Sequence, residues 1–237
     1  MKQTVIILLA ICLTKGNKVN AQNYINLGAG LSDINVKEWN KSIDAFNYAR
    51  PWLNTPLNNL RSGQLYQASL TAILGKAFFV SPQLAYMQIA RSASTGSFAT
   101  KLNIRRFSGG LNFDIYPREF GLDTVYFEVR PFVRLGGAAS AFLPRIRFND
   151  ERATVNDQVY EPIIWTYQVH AGLGCRFSLS RWFDIMPVIQ LNYFPNVQLE
   201  NFSQALHGTN VPGLNNNARL LKTEATVFFC FRIGQNK

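Results

Sequence analysis

From Ile163 to Leu179 the chain alternates without a break. The odd positions are Ile163, Trp165, Tyr167, Val169, Ala171, Leu173, Cys175, Phe177 and Leu179. The even positions from Thr166 onward are Thr166, Gln168, His170, Gly172, Gly174, Arg176 and Ser178. Period-two alternation puts one apolar and one polar or small face on a single strand. Strands of soluble proteins usually run about 3–10 residues. A strand crossing a bilayer obliquely needs about 9–11 residues plus whatever projects beyond the membrane. A run this long predicts a membrane β-barrel.

Seven other segments read the same way: Asn23–Leu31, Gln64–Leu74, Ala77–Ala90, Lys101–Tyr116, Thr124–Ala138, Trp182–Val197 and Arg219–Gly234. In the fourth the parity of apolar residues slips near Arg105-Arg106, which predicts a bulge. The connections alternate between short (Gly75-Lys76, Pro117–Asp123, Ser180-Arg181) and longer (Ser32–Gly63, Arg91–Thr100, Ala139–Pro162, Gln198–Ala218). Outer-membrane barrels have this asymmetry, with short periplasmic turns and long external loops.

A weak repeat marks three of the strands. Phe78, Val80, Pro82, Leu84, Tyr86 has counterparts in Phe127, Val129, Pro131, Val133, Leu135 and in Phe183, Ile185, Pro187, Ile189, Leu191. Proline removes a ladder hydrogen bond. A bulge or an unpaired carbonyl is therefore expected near each.

Alternation alone does not say which face points inward. The polar faces carry both signs of charge: Glu128, Arg130, Arg134, His170, Arg176, Asp184, Lys222 and Glu224. Eight strands enclose an interior just wide enough for side chains to fill, so these residues are expected to form a polar network in the lumen. Tyr116, Phe120, Trp165, Tyr167, Trp182, Phe183, Tyr193 and Phe194 lie near strand ends, as interfacial girdles require. The apolar face is expected to meet lipid. The competing arrangement is a soluble barrel with its apolar face inside.

The first long connection has a different period. Trp39, Ile43, Phe46 and Leu53 recur at helical spacing between Val36 and Leu53, with Ser32 or Asp33 as N-cap and Pro51 limiting the end. An amphipathic helix of two to four turns is expected. It has three possible uses: a lid over the barrel mouth, a membrane-surface helix, or a partner surface presenting Trp39, Ile43, Phe46 and Trp52.

Lys2, the apolar run Val5–Leu13 and the small Ala21 form a secretory signal peptide over residues 1–21, leaving one barrel domain over 22–237. Cys12 is no lipidation site, because Ile11 stands where a small residue is needed. The formal charge of +10 drops by three when Lys2, Lys15 and Lys18 leave. The remaining arginines are scattered singly along strands, so no nucleic-acid partner is expected. Cys175 and Cys230 fall on opposite faces of their strands and are expected as free thiols.

No constellation carries chemistry. His170 and His207 have no metal-ligand spacing, and no cofactor is expected. Ser203, His207 and Glu200 are the nearest approach to a nucleophilic set. Inward glycines, among them Gly28, Gly30, Gly172 and Gly174, are read as relief of crowding.

The leader ending Asn20-Ala21-Gln22, the aromatic-x-aliphatic-x-Pro strands and the closing strand Thr226–Ile233 resemble the small outer-membrane β-barrels, which include the OmpA and OmpX barrels and the PorT-like proteins. The chain departs from that pattern after Phe231, where Arg232 to Lys237 replace the usual terminal aromatic. The resemblance implies an all-β, eight-stranded antiparallel barrel in the outer membrane of a Gram-negative-type bacterium. The expected role is non-enzymatic: a structural or interaction subunit of an envelope complex serving secretion, transport or assembly. Its partners would be outer-membrane lipid and other outer-membrane or periplasmic proteins. A small pore and a lipid-modifying enzyme are the alternatives.

Overall fold

In lipid, every backbone N–H and C=O must be paired within the protein, so strands cross a bilayer only as a closed cylinder. The computed structural model of the chain describes residues 23–33, 36–74, 77–96, 98–117, 128–150, 158–198, 202, 206 and 217–233. The strands are β1 (Asn23–Asp33), β2 (Ser62–Ile73), β3 (Phe78–Thr95), β4 (Phe98–Ile115), β5 (Glu128–Asp150), β6 (Gln158–Tyr160), β7 (Ile164–Ser178), β8 (Phe183–Gln198) and β9 (Asn217–Ile233), with one helix, α1 (Lys37–Tyr48), after β1. All pairings are antiparallel, and β1 closes against β9 from Asn23↔Ile233 to Ser32↔Glu224. Eight strands are staves; β6 only extends the outer part of β5, at Ile146–Phe148. The expected leader lies outside the described residues.

Outward side chains over the middle of the barrel are apolar: Leu27, Leu70, Leu84, Leu111, Val133, Leu173, Ile189 and Val227 are all exposed. Inward ones are polar and buried, among them Asn26, Ser69, Asn112, Arg134, His170, Gln190 and Glu224. A soluble barrel has the opposite order. Tyr86 and Phe107 touch on adjacent staves, 5.0 Å between ring centroids, and Tyr66 stands next to Tyr86 in register. Phe183, Phe229 and Phe231 form a second outward cluster at the end where β1 begins and β9 finishes. An apolar belt between aromatic girdles around a closed eight-stranded sheet is the outer-membrane architecture; the protein is an outer-membrane β-barrel.

Two expectations change. First, β4 has no bulge at Arg105-Arg106: the register from Phe78↔Ile115 to Thr95↔Phe98 is continuous. The side chains of Thr100, Leu102, Ile104, Arg106, Ser108, Asn112 and Asp114 all face inward. What inverts is the chemistry of each face. Below Phe107 the outside meets lipid and the inside is polar. Above it the outside carries Lys101, Asn103 and Arg105, while Leu102 and Ile104 point inward. Strand β5 inverts likewise, from Arg134 in and Val133 out to Ile146 in and Arg147 out.

Second, 91–95, 98–100 and much of Ala139–Pro162 are strand rather than loop. Strands β3 and β4 continue as a hairpin until Thr95 pairs with Phe98, and Gly96 (φ 45°) makes the turn. Strand β5 pairs with β4 as far as Asp150.

At Pro82 and Pro187, of the two expected outcomes, the ladder takes the unpaired one, with no bulge. The β2–β3 ladder is interrupted opposite Pro82 and the β7–β8 ladder opposite Pro187, with register kept on both sides. Pro131 lies past the end of its pairing with β4. The register shift that does occur, between Phe194 and Val197, brackets Pro195.

The lipid belt makes a prediction. Leu173→Arg, near mid-barrel on β7, should destabilise the folded state by about 2–4 kcal/mol. The same change at exposed Asn149, above the girdle, should cost less than about 0.5 kcal/mol. Urea titration in lipid vesicles, read by the gel mobility of unheated samples, measures both; equal costs would contradict the assigned belt.

A stoppered lumen as the candidate functional site

The interior is built in layers. Nearest the termini, Arg176 is fully buried beneath aromatic rings, 4.4 Å from the Tyr24 ring centroid and 5.2 Å from that of Phe79. Tyr116, Phe132, Met186 and Phe228 complete this layer. Asp184 faces the arginine at 3.9 Å and accepts a hydrogen bond from Arg232 at 2.8 Å. Just above, Arg134 clamps Asp114 through both oxygens, Nε–Oδ1 2.7 Å and Nη2–Oδ2 2.8 Å, the strongest geometry open to such a pair.

The middle layer centres on Glu224. It binds Arg106 and accepts hydrogen bonds from Gln190 (2.9 Å) and Ser32 (3.2 Å). His170 lies 2.7 Å from the Asn112 amide oxygen, and Asn112 donates to Gln83. Gln83, Asn112, His170, Gln190 and Glu224 line a cavity of about 10 Å³, room for about one water molecule. Gly136 lies directly beneath His170: a Cβ there would stand 2.3 Å from its Nε2, so only glycine leaves space for the imidazole.

The outer mouth is filled by an apolar cap. Trp39, Ile43 and Phe46 of α1 pack with Leu65, Ile104, Phe142, Ile146, Ile164, Phe194 and Phe202. Trp39 stacks on Phe202 at 5.1 Å and meets Phe142 edge-on at 5.6 Å. Two asparagines tie down the returning chain: Asn40 exchanges two hydrogen bonds with the backbone of Leu60, and Asn47 does the same with Leu57. The helix starts at Val36 with no side-chain cap, in place of the expected Ser32 or Asp33. Ser32 instead holds Glu224 inside the barrel.

The sequence-derived candidates divide accordingly. All eight expected lumen residues sit on inward positions. Arg134, Arg176, Asp184 and Glu224 are buried in pairs, His170 and Lys222 are buried, and Glu128 with Arg130 forms a partly exposed pair at the lower rim. Asp114, Arg106 and Arg232 complete the network and were missing from that set. Arg106 has an inward parity that the supposed slip in β4 concealed, and Asp114 lies on the same face. Of the expected partner residues, Trp39, Ile43 and Phe46 are fully buried in the cap and have no surface to offer, whereas Trp52 is half exposed against Phe98. Ser203, His207 and Glu200, with Phe120 and Phe127, lie outside the described residues. Among the described residues no three His, Cys, Asp or Glu side chains gather as a metal site, and Cys175 and Cys230 are free thiols, the first outward and the second inward.

No family model matches the sequence, and no curated protein matches it. Among solved structures the chain is similar to Ail, the attachment invasion locus protein of Yersinia pestis (10% identity, 91% of this chain and 100% of that one, TM-score 0.43). It is also similar to a major outer membrane protein from Thermus thermophilus (12%, 90% and 99%, TM-score 0.47). A third is the outer membrane protease OmpT from Escherichia coli (7%, 90% and 94%, TM-score 0.31). Likenesses of this size assign no activity.

Removing one member of a buried ion pair strands the other, at about 3–5 kcal/mol. Glu224→Ala should therefore lower the urea midpoint sharply, and the double change Glu224→Leu with Arg106→Met should recover most of the loss. A double variant no more stable than Glu224→Ala would show that the pair is not the unit of stability.

Proposed function

We propose that the protein is a closed, non-enzymatic outer-membrane barrel that serves as an interaction subunit of a larger envelope complex and meets its partners on its external face. The observation that carries this reading is the filled lumen. An apolar cap, a polar layer with space for about one water, and an aromatic layer around Arg176 occupy the interior in succession. A pore needs a continuous aqueous path. Support for an external surface comes from Tyr48 and Trp52. They lie 90% and 52% exposed on the cap, above the lipid belt, where no bilayer covers them. Exposed aromatics are the side chains most enriched at protein interfaces.

Two measurements test the proposal. In planar bilayers the protein should show no stable conductance, and a steady channel would favour the pore. From detergent-solubilised outer membrane, the wild type should retain a protein that the Tyr48→Ser, Trp52→Ser variant loses by at least about ten-fold, the effect of about 1.4 kcal/mol. Identical recovery would place the interface elsewhere.

A further inference from the structure

The barrel wall is not zipped along its whole height. The β7–β8 ladder reaches Val169↔Tyr193 and stops there. Both strands go on: β7 to Ile164, still paired with β5 as far as Phe142, and β8 to Gln198, still paired with β9. Over 164–168, the edge of β7 that faces β8 carries no strand among the described residues.

Pro195 accounts for the stop. The lower ladder shows which backbone groups point where. Opposite Pro187 the β7–β8 ladder loses Cys175 and Arg176, while the β5–β7 ladder passes Cys175 unbroken. The missing proline N–H thus removes a bond that the Cys175 carbonyl would accept, so odd residues of β7 turn their N–H and C=O toward β8. By the same register Tyr167 lies opposite Pro195, which has no N–H to give. The Thr166 hydroxyl bridges the seam instead, 3.2 Å from the Tyr167 carbonyl oxygen and 2.6 Å from that of Asn196.

The two sides of the seam differ in protection. Sheet edges are normally blunted by charge, proline or a bulge. Strand β8 has Pro195 and the register shift around it. Strand β7 reads Ile163-Ile164-Trp165-Thr166-Tyr167-Gln168, rich in β-branched and aromatic residues, with no charge, proline or glycine. Trp165 and Tyr167 point outward, 70% and 59% exposed. Trp165 stands in register with Phe107 of the girdle, through Ala141. The edge therefore lies at the membrane surface and above, out of the hydrocarbon.

An open sheet edge selects its ligand by backbone pairing, and that ligand is extended polypeptide. The lack of charge over 163–168 and 193–198 selects an uncharged one. A second copy of this chain does not fit. Two copies in one membrane are related by an axis along its normal. Strands tilted by about 35–45° would then cross at about 70–90°, too steep for a ladder.

We infer that the β8-facing edge of β7, over 164–168, docks an extended, uncharged segment of a partner protein, which adds as a strand where Pro195 keeps β8 from pairing. This rests on the external-interaction reading above and gives the partner's segment its chemistry.

The test uses the full chain refolded in detergent, with a fluorescent heptapeptide of alternating threonine and valine as probe. The wild type should bind it saturably, and amide hydrogen exchange should slow over 163–168. The same peptide methylated at every amide nitrogen keeps its side chains but cannot donate, and should bind at least about ten-fold more weakly. Tyr167→Pro removes an N–H from the seam and none from the β5–β7 ladder, and should also weaken binding at least about ten-fold. Trp165→Lys with Tyr167→Lys, which blunts the edge by charge, should do the same and serves if the proline variant lacks the gel mobility of folded protein. No binding by the wild type overturns the site. So does equal affinity for the methylated peptide, equal affinity of a folded edge variant, or exchange protection elsewhere in the chain. The external-interaction reading fails separately, through a steady channel or unchanged recovery with Tyr48→Ser, Trp52→Ser, and neither result alters the peptide titration.

Discussion

Everything in this molecule depends on the closure of β1 against β9. Ten residue pairs from Asn23↔Ile233 to Ser32↔Glu224 turn an open sheet into a cylinder without edges. Only then can the backbone cross hydrocarbon with its polar groups paired. Closure also creates an inside too narrow for bulk water, so the inward side chains must satisfy one another. Arg134 with Asp114, Arg106 with Glu224, and Arg232 with Asp184 are the consequence. Such pairs add little net stability, but breaking one is costly. They hold the lumen shut by making a half-satisfied interior the worse state.

The barrel works in two solvents, and its strands change pattern where the solvent changes. The inward face of β4 runs from Asp114 and Asn112 through Arg106 to Ile104 and Leu102 without leaving the interior. Where lipid surrounds the wall, the apolar residues are outside. Where water surrounds it, they are inside, under α1. The projecting half is thus organised like a small soluble domain, with a core from Trp39 to Leu220 mounted on the membrane-spanning half. The girdle pair Tyr86 and Phe107 marks the boundary.

This inversion explains which parts of the sequence were readable. Within the lipid belt, period two and a single hydrophobic face locate all eight staves to within a few residues, from Asn23–Asp33 to Asn217–Ile233. Above it the same rule misreads β4 as slipped and takes the ends of β3, β4 and β5 for loop, because polar residues there face out. Parity alone put Arg134, His170 and Glu224 on the polar face, whereas Arg106 was lost to the supposed slip. The helix was legible from Trp39, Ile43 and Phe46, but its use was not. The same amphipathic stripe fits a lid, a membrane surface or a partner, and only packing against Phe142, Phe194 and Phe202 distinguishes them.

By itself, then, the sequence determined that the chain would form long alternating strands on an even count, each with one apolar and one polar face. Those properties are local, written in residue type at every second position. Tertiary structure decided which charges meet, since Arg106 and Glu224 are 118 residues apart and only barrel register brings them together. It decided that α1 seals the mouth. It also set Lys101 across from Arg147, concentrating on one wall charges that are scattered singly along the chain.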